Sequence, residues 1–352
     1  MKQVYIFVFV CALILNSSQA YTQTGFSVYL IGDAGENTSP GEALLLLKSE
    51  LISNPSSAVI FLGDNVYPSG LRKSDPSSVA HLESQLSILN NYMGQVYFIP
   101  GNHDWSAQRA SGWKRIKNQE TYVSNYLKTN SSVLNKDKLT FLPSDGLPGP
   151  ASVLLDNKLR LIIIDTQWFL QRHKKNIIGT KRNTEKIFYS QLESMLKEAS
   201  LNLEQVLITA HHPMYTNGQH SRNKQPLRFL VNRTPFCFIG FMGVFKLFSQ
   251  DMAQPRYKHM RNKMLQIFNQ YNNIIFASGH EHNVQCIMGG ENRYVVNGNG
   301  SKLSKLRKKK KFDSVFQDDT KTGFIKINYS SNGDHHTTIF RVREDQKVLD
   351  GF

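Results

Sequence analysis

Asp64 closes an apolar run, Ala58 to Leu62, that is short, partly β-branched and bounded by turn residues, the mark of a buried strand. Gly63 permits a sharp turn, so the Asp64 carboxylate is left at the strand's carboxyl end, with Tyr67 three residues on and in reach of the same crevice. The form recurs in Gly32-Asp33-Ala34-Gly35, Gly101-Asn102-His103-Asp104, His211-His212-Pro213 and Gly279-His280-Glu281-His282. Each alone is also what a turn or a helix cap looks like. Five at successive strand ends are not explained that way. Pooled, Asp33, Asp64, Tyr67, Asn102, His103, His211, His280 and His282 mix oxygen and nitrogen donors and include no thiolate. Carboxylate with imidazole suits zinc, iron or manganese. A carboxylate can bridge two cations because it has two oxygens, and a pair about 3.5–4 Å apart makes hydroxide near neutral pH and clamps attacking and leaving oxygens. That chemistry fits phosphoryl ester cleavage. There is no Gly-x-Ser-x-Gly elbow for a serine nucleophile, and Walker-type and dinucleotide glycine patterns are absent.

The elements that must position these groups alternate strand with helix. Strands are expected at 26–31, 58–62 and 95–99, with helices at 42–53 and 78–92 between them. Residues 26–104 thus read as βαβαβ, and such sheets gather ligands at the carboxyl ends of their strands. The stretch 105–127 reads as loop and then helix, and the Pro- and Gly-rich 143–150 as a connecting loop. Further strands are expected at 159–165, 205–210, 273–277, 283–288, 293–297, 323–329 and 337–343, and helices at 184–199 and 257–271. No internal repeat is found.

The 352 residues, 40% of them hydrophobic, suffice to bury a full core. Residues 1–20 read as a cleavable signal peptide: Lys2, an apolar middle too short to span a membrane, and Ser18-Gln19-Ala20 as the cleavage site. A secreted or periplasmic protein without a transmembrane segment in its mature chain is therefore expected, with residues 21–352 forming one domain. Cys11 would leave with the signal peptide; Cys237 and Cys286 would remain and could pair, which spacing does not decide. The net charge of +15 favours anionic partners. Much of it sits in a basic loop near 302–312, where Lys302 to Lys311 offer contact with an anionic surface or a solvated loop; no nucleic-acid motif accompanies them. An apolar stretch at 235–248, within 217–256, reads as a cap over the site.

In order and spacing the five blocks resemble the calcineurin-like metallophosphoesterase superfamily, over residues 26 to 282. Most members carry Asp-x-His in the first block. Gly35 stands in that histidine's place here, and Tyr67 stands where purple acid phosphatases place a metal-binding tyrosine, so the chain is most similar to that branch. The resemblance implies an α/β fold, a four-layer sandwich of two mixed β-sheets flanked by helices. It implies that Asp33, Asp64, Tyr67 and His282 hold Fe3+, and that Asp64, Asn102, His211 and His280 hold Fe2+, Zn2+ or Mn2+, with Asp64 bridging. His103 would contact the phosphate or protonate the leaving oxygen, oriented by Asp104, and His220 would face the substrate. His212 has no metal role in the pattern. The implied activity is hydrolysis of phosphate monoesters on small molecules by a metal-bound hydroxide. A phosphodiesterase or nucleotide hydrolase on the same metals, or a non-catalytic anion-binding protein, are the alternatives.

Overall fold

The computed structural model describes residues 25–129, 140–173, 175–221 and 252–352. The expected signal peptide, the apolar stretch at 235–248 and Cys237 lie outside the described residues, whereas Cys286 is buried. Two mixed sheets carry the fold. The first has the order β13-β12-β11-β1-β2-β3, built on β1 (Phe26–Ile31), β2 (Ser57–Phe61), β3 (Gln95–Phe98), β11 (Gly323–Tyr329), β12 (His335–Arg341) and β13 (Lys347–Asp350). The second has the order β10-β8-β9-β7-β6-β5-β4, from β4 (Ala151–Asp156), β5 (Leu159–Ile164), β6 (Gln205–Ala210), β7 (Ile274–Ser278), β8 (Val284–Gly289), β9 (Asn292–Asn297) and β10 (Ser314–Asp318).

β1, β2 and β3 run parallel, as do β5, β6, β7 and β9, while β11 pairs antiparallel with β1 at Val28↔Ile327. Side-chain alternation sorts the core into layers. Val28, Leu30, Ala58 and Ile60 pack with Leu161, Ile163, Leu207 and Ala277 between the two sheets. The alternate set, Tyr29, Ile31, Val59 and Phe61, packs with Leu44, Leu47 and Leu51 of helix α1 (Glu42–Ser53) and Leu82 and Leu86 of α2 (Pro76–Leu86). Helices α3 (Gly112–Thr129), the five-residue α4 (Thr166–Leu170), α5 (Lys181–Leu201) and α6 (Pro255–Phe268) complete the outer layers. This is the four-layer α/β sandwich expected. Strands buried on both faces must be apolar throughout, which is why they read so plainly. Among the described residues no helix is long and apolar enough to cross a membrane.

Boundaries moved where caps decide them. α2 begins at Pro76 rather than 78 because the Asp75 carboxylate accepts from the Ser77 N–H at 3.2 Å, and proline is pre-set for the first helical turn. It ends at Leu86, followed by a 3-10 turn at Ser87–Leu89, where a helix to 92 had been expected. β4, β10, β13 and α4 were not anticipated.

Candidate metal centre

The site gathers at the carboxyl ends of β1, β2, β3, β6 and β7. Backbone contacts tie neighbouring strand ends within each sheet, the Asp33 N–H donating to Gly63 O at 3.0 Å and the Gly279 N–H to His211 O at 3.1 Å, and the Gly300 N–H joins the two sheets by donating to Gly32 O at 3.0 Å. Asp33, Asp64 and His280 have positive φ of 56°, 56° and 71°. Such backbone costs a non-glycine residue about 1–3 kcal/mol and collects at functional sites. Glycine makes room for the carboxylates, since a Cβ added at Gly101 would lie 2.2 Å from Asp64 Oδ1.

Two donor sets result, and they share Asp64. In the first, the Tyr67 hydroxyl lies 2.9 Å from Asp33 Oδ1, 3.1 Å from Asp64 Oδ2 and 3.3 Å from His282 Nε2, with His282 Nε2 3.3 Å from Asp33 Oδ1. In the second, Asn102 Oδ1 sits 3.0 Å from both His211 Nε2 and His280 Nδ1, and His211 Nε2 is 3.5 Å from Asp64 Oδ2. Asp33, Asp64 and His211 also bring one ligand atom each within 4.8 Å of one another. All seven residues assigned as ligands from the resemblance therefore converge.

The donor chemistry fits cations. His211 Nδ1 lies 2.9 Å from Leu62 O, and a carbonyl only accepts, so the neutral ring carries its proton there. Nε2 then aims a lone pair at two acceptor oxygens, a gap that an extra proton or a cation must fill. With protons alone, burial pushes the His211 imidazole down, but Asp64 more than offsets this and holds it at about 9. Burial, reinforced by His220 and His212, keeps His280 well below the usual histidine range, neutral and able to donate a lone pair. Burial raises Asp64 and the neighbouring His211 and His103 lower it further, leaving the carboxyl well below its ordinary range. Tyr67 is pushed far up by burial and then by Asp33 and Asp64. A phenolate there requires a cation alongside, because a bound metal ion inverts such local balances.

His103 reaches the rim. Its backbone N–H donates to Asp64 Oδ1 at 2.8 Å, its Nδ1 is held 2.7 Å from Pro68 O, and Nε2 is 3.9 Å from Asp64 Oδ2. Asp104 does not orient that ring. Its carboxylate is fully buried and turned the other way, accepting from the N–H groups of Gly101, Asn65 and Val66 and from Gln119 Nε2. The adjacent backbone needs those acceptors, and Pro68 takes the place expected for Asp104. His220 does reach the site, its ring centroid 4.3 Å from that of His280. His212 braces His280 from behind at 4.5 Å while Thr166 Oγ1 lies 2.9 Å from its Nδ1.

Glu281 was missed. It is fully buried, and its carboxylate accepts from the backbone N–H of Gln219 at 3.0 Å and of His220 at 2.9 Å. It thereby pins the turn that carries His220. No spacing signal could have found it, because residues 279–283 lie between β7 and β8, where the alternation of a strand does not hold.

A family model for calcineurin-like phosphoesterases matches residues 26–284. The chain belongs to that family. Its members bind a dinuclear metal centre, in keeping with the two donor sets of this phosphoesterase. The fold is similar to that of GAP50, the anchor in the inner membrane complex of Plasmodium, with a TM-score of 0.61 at 15% identity over 93% of this chain and 89% of that one. It is similar to PhoD, TM-score 0.56 at 9% identity over 93% and 68%. It is also similar to a purple acid phosphatase from yellow lupin (Lupinus luteus) seeds, TM-score 0.52 at 16% identity over 93% and 54%. At these identities the likeness is one of fold alone. No curated protein matches the sequence.

Proposed function

We propose that this phosphoesterase is an exported phosphatase acting on phosphate monoesters of small molecules, with Asp33, Asp64, Tyr67 and His282 holding one cation and Asp64, Asn102, His211 and His280 the other. The observation that carries the reading is that both donor sets close on the same Asp64 carboxylate. Cations bound there supply Lewis acidity and an acidified water as nucleophile. The protein fixes the geometry: Leu62 O sets the His211 tautomer, Gly101 and Gly279 admit the carboxylates, and His212 and Glu281 hold His280 and His220 in place. With Nδ1–H donating to Pro68 O, the neutral ring has only a lone pair at Nε2, so it is the imidazolium form of His103 that donates from Nε2 to the phosphate or to the leaving oxygen. Metal analysis with a generic aryl phosphate assay tests the reading: bound metal with turnover is expected, and metal-free, inactive protein leaves an anion-binding role instead. Rates on mono- and diesters separate the nearer alternative.

His103→Asn is expected to lower kcat by about 10²–10⁴ at unchanged metal content. A variant losing less than threefold would remove His103 from the chemistry.

Tyr67 bears on the first cation. A phenolate is a hard oxygen donor suited to Fe3+, with Fe2+, Zn2+ or Mn2+ in the second set. The metal-loaded protein should then be coloured by a charge-transfer band that Tyr67→Phe removes; a colourless, fully active zinc protein would contradict iron.

A further inference from the structure

The basic run lies on the rim of the site. Between Gly298 and Phe312 there are seven cations, Lys302, Lys305, Arg307 and Lys308 to Lys311, and no acidic residue. The loop is pinned to the ligand-bearing elements along its length. Ser301 Oγ donates to Asp33 O, the Gly300 N–H to Gly32 O at 3.0 Å and the Ser304 N–H to His282 O at 2.7 Å. Further along, Gln219 Nε2 donates to Lys305 O at 2.8 Å and the Arg307 N–H to Asn217 O at 3.0 Å, tying the loop to the turn that carries His220. Lys302 is nearest the metals' place. Its Nζ stands 3.5 Å from the Tyr67 ring centroid and 2.8 Å from Glu36 Oε2. Glu36 is 45% exposed, a solvent-screened partner that a more highly charged anion can replace. Lys308, Lys309 and Lys310 are exposed and have no acidic partner among the described residues.

An ordinary monoester does not need this arrangement, because one phosphoryl group is already met by the metals and His103. We propose that the strip from Lys302 to Lys310 holds the non-reacting phosphates of a substrate carrying several phosphoryl groups in a chain, an inorganic or nucleoside polyphosphate whose end group enters the site. This rests on the phosphoesterase reading. In the reaction a water oxygen bonds to the terminal phosphorus and the P–O bond to the bridging oxygen breaks. The bridging oxygen keeps the electron pair and leaves with the shortened chain, and the water's proton passes to solvent. Lysines suit the role as mobile point charges that need no fixed bidentate partner, and a line of one sign concentrates a multivalent anion at the mouth of the site.

The test separates binding from turnover. Affinities of orthophosphate and of tripolyphosphate in its methylene-bridged form, which is not cleaved, are measured by titration calorimetry on the metal-loaded full chain, so that nothing is consumed. Tripolyphosphate should bind at least about tenfold tighter, and added salt should narrow the gap by screening. Adding Lys302→Gln with Lys308→Ser, Lys309→Ser and Lys310→Ser should cut the preference below threefold. In the otherwise wild-type enzyme the same four substitutions should lower the ratio of kcat/KM for tripolyphosphate over an aryl phosphate about tenfold. Circular dichroism checks that each variant is folded. Equal affinity for the two anions, or a preference that survives the substitutions, overturns the proposal while leaving aryl phosphate hydrolysis intact. So does binding to phosphatidylserine vesicles that needs these lysines when tripolyphosphate is not preferred. A lysine-dependent preference in a chain that hydrolyses no phosphate ester would keep the strip and remove the phosphatase reading.

Discussion

Asp64→Asn is expected to abolish measurable hydrolysis of an aryl phosphate, a loss of at least about a thousandfold, and to lower bound metal below two per chain. The size follows from the position. Asp64 Oδ2 lies 3.1 Å from the Tyr67 hydroxyl and 3.5 Å from His211 Nε2, so one carboxylate serves both donor sets. Losing its charge weakens both at once, and Lewis-acid stabilisation of several kcal/mol at about 1.4 kcal/mol per decade gives the thousandfold. Asparagine keeps an acceptor for the His103 N–H now bonded to Oδ1 at 2.8 Å, so the fold should survive and the loss should be chemical. Metal content and circular dichroism are measured beside the rate. A folded variant with two metals and more than a tenth of the activity would refute the shared-ligand arrangement.

The ligands were legible for a reason particular to this architecture. Parallel strands buried on both faces must be apolar throughout, so a lone Asp33, Asp64, Asn102, His211 or His280 at the end of such a run stands out, and one sheet edge collects them. Edge strands give no such contrast. β4 and β13 each have a single buried position, Leu155 and Leu349, so burial does not force an apolar run through either strand. Spacing also says nothing about where a side chain points once the chain leaves the strand. Asp104 follows His103 directly, yet the carboxylate is buried under the turn while the imidazole faces out. Glu281, placed between two ligands, faces the opposite way and holds a turn sixty residues back in the chain. The contact of the basic loop with Tyr67 could not be read either, because nothing between Asn297 and Phe312 has the periodicity that would fix its path.

Asp104→Ala should be the most damaging change to stability, at about 3–5 kcal/mol, and should reduce hydrolysis as well. The carboxylate accepts from the Gly101 N–H at 2.8 Å, the Asn65 N–H at 3.1 Å, the Val66 N–H at 3.0 Å and Gln119 Nε2 at 2.9 Å. Each buried donor left without a partner costs about 1–3 kcal/mol, and partial relaxation keeps the total below the simple sum. The same bonds hold the turn after β2 against the turn after β3, which carry Asp64 and Tyr67 on one side and Asn102 and His103 on the other. Loosening them separates ligands whose contacts are near 3 Å, so metal affinity should fall with stability. A pH signature identifies the group. Burial, then the charge of Asp64, raises its carboxyl to about 6. Between the unfolded value near 3.9 and about 6 the folded state holds more protons, so this residue's contribution to stability is full at low pH and fades as pH rises through 6. Urea unfolding of the wild type and of Asp104→Asn should therefore show a larger difference at pH 4.5 than at pH 7. A difference that grows with pH instead would mean that Asp104 is held as a strongly favoured anion by its N–H donors, and that the field of Asp64 counts for little inside this site.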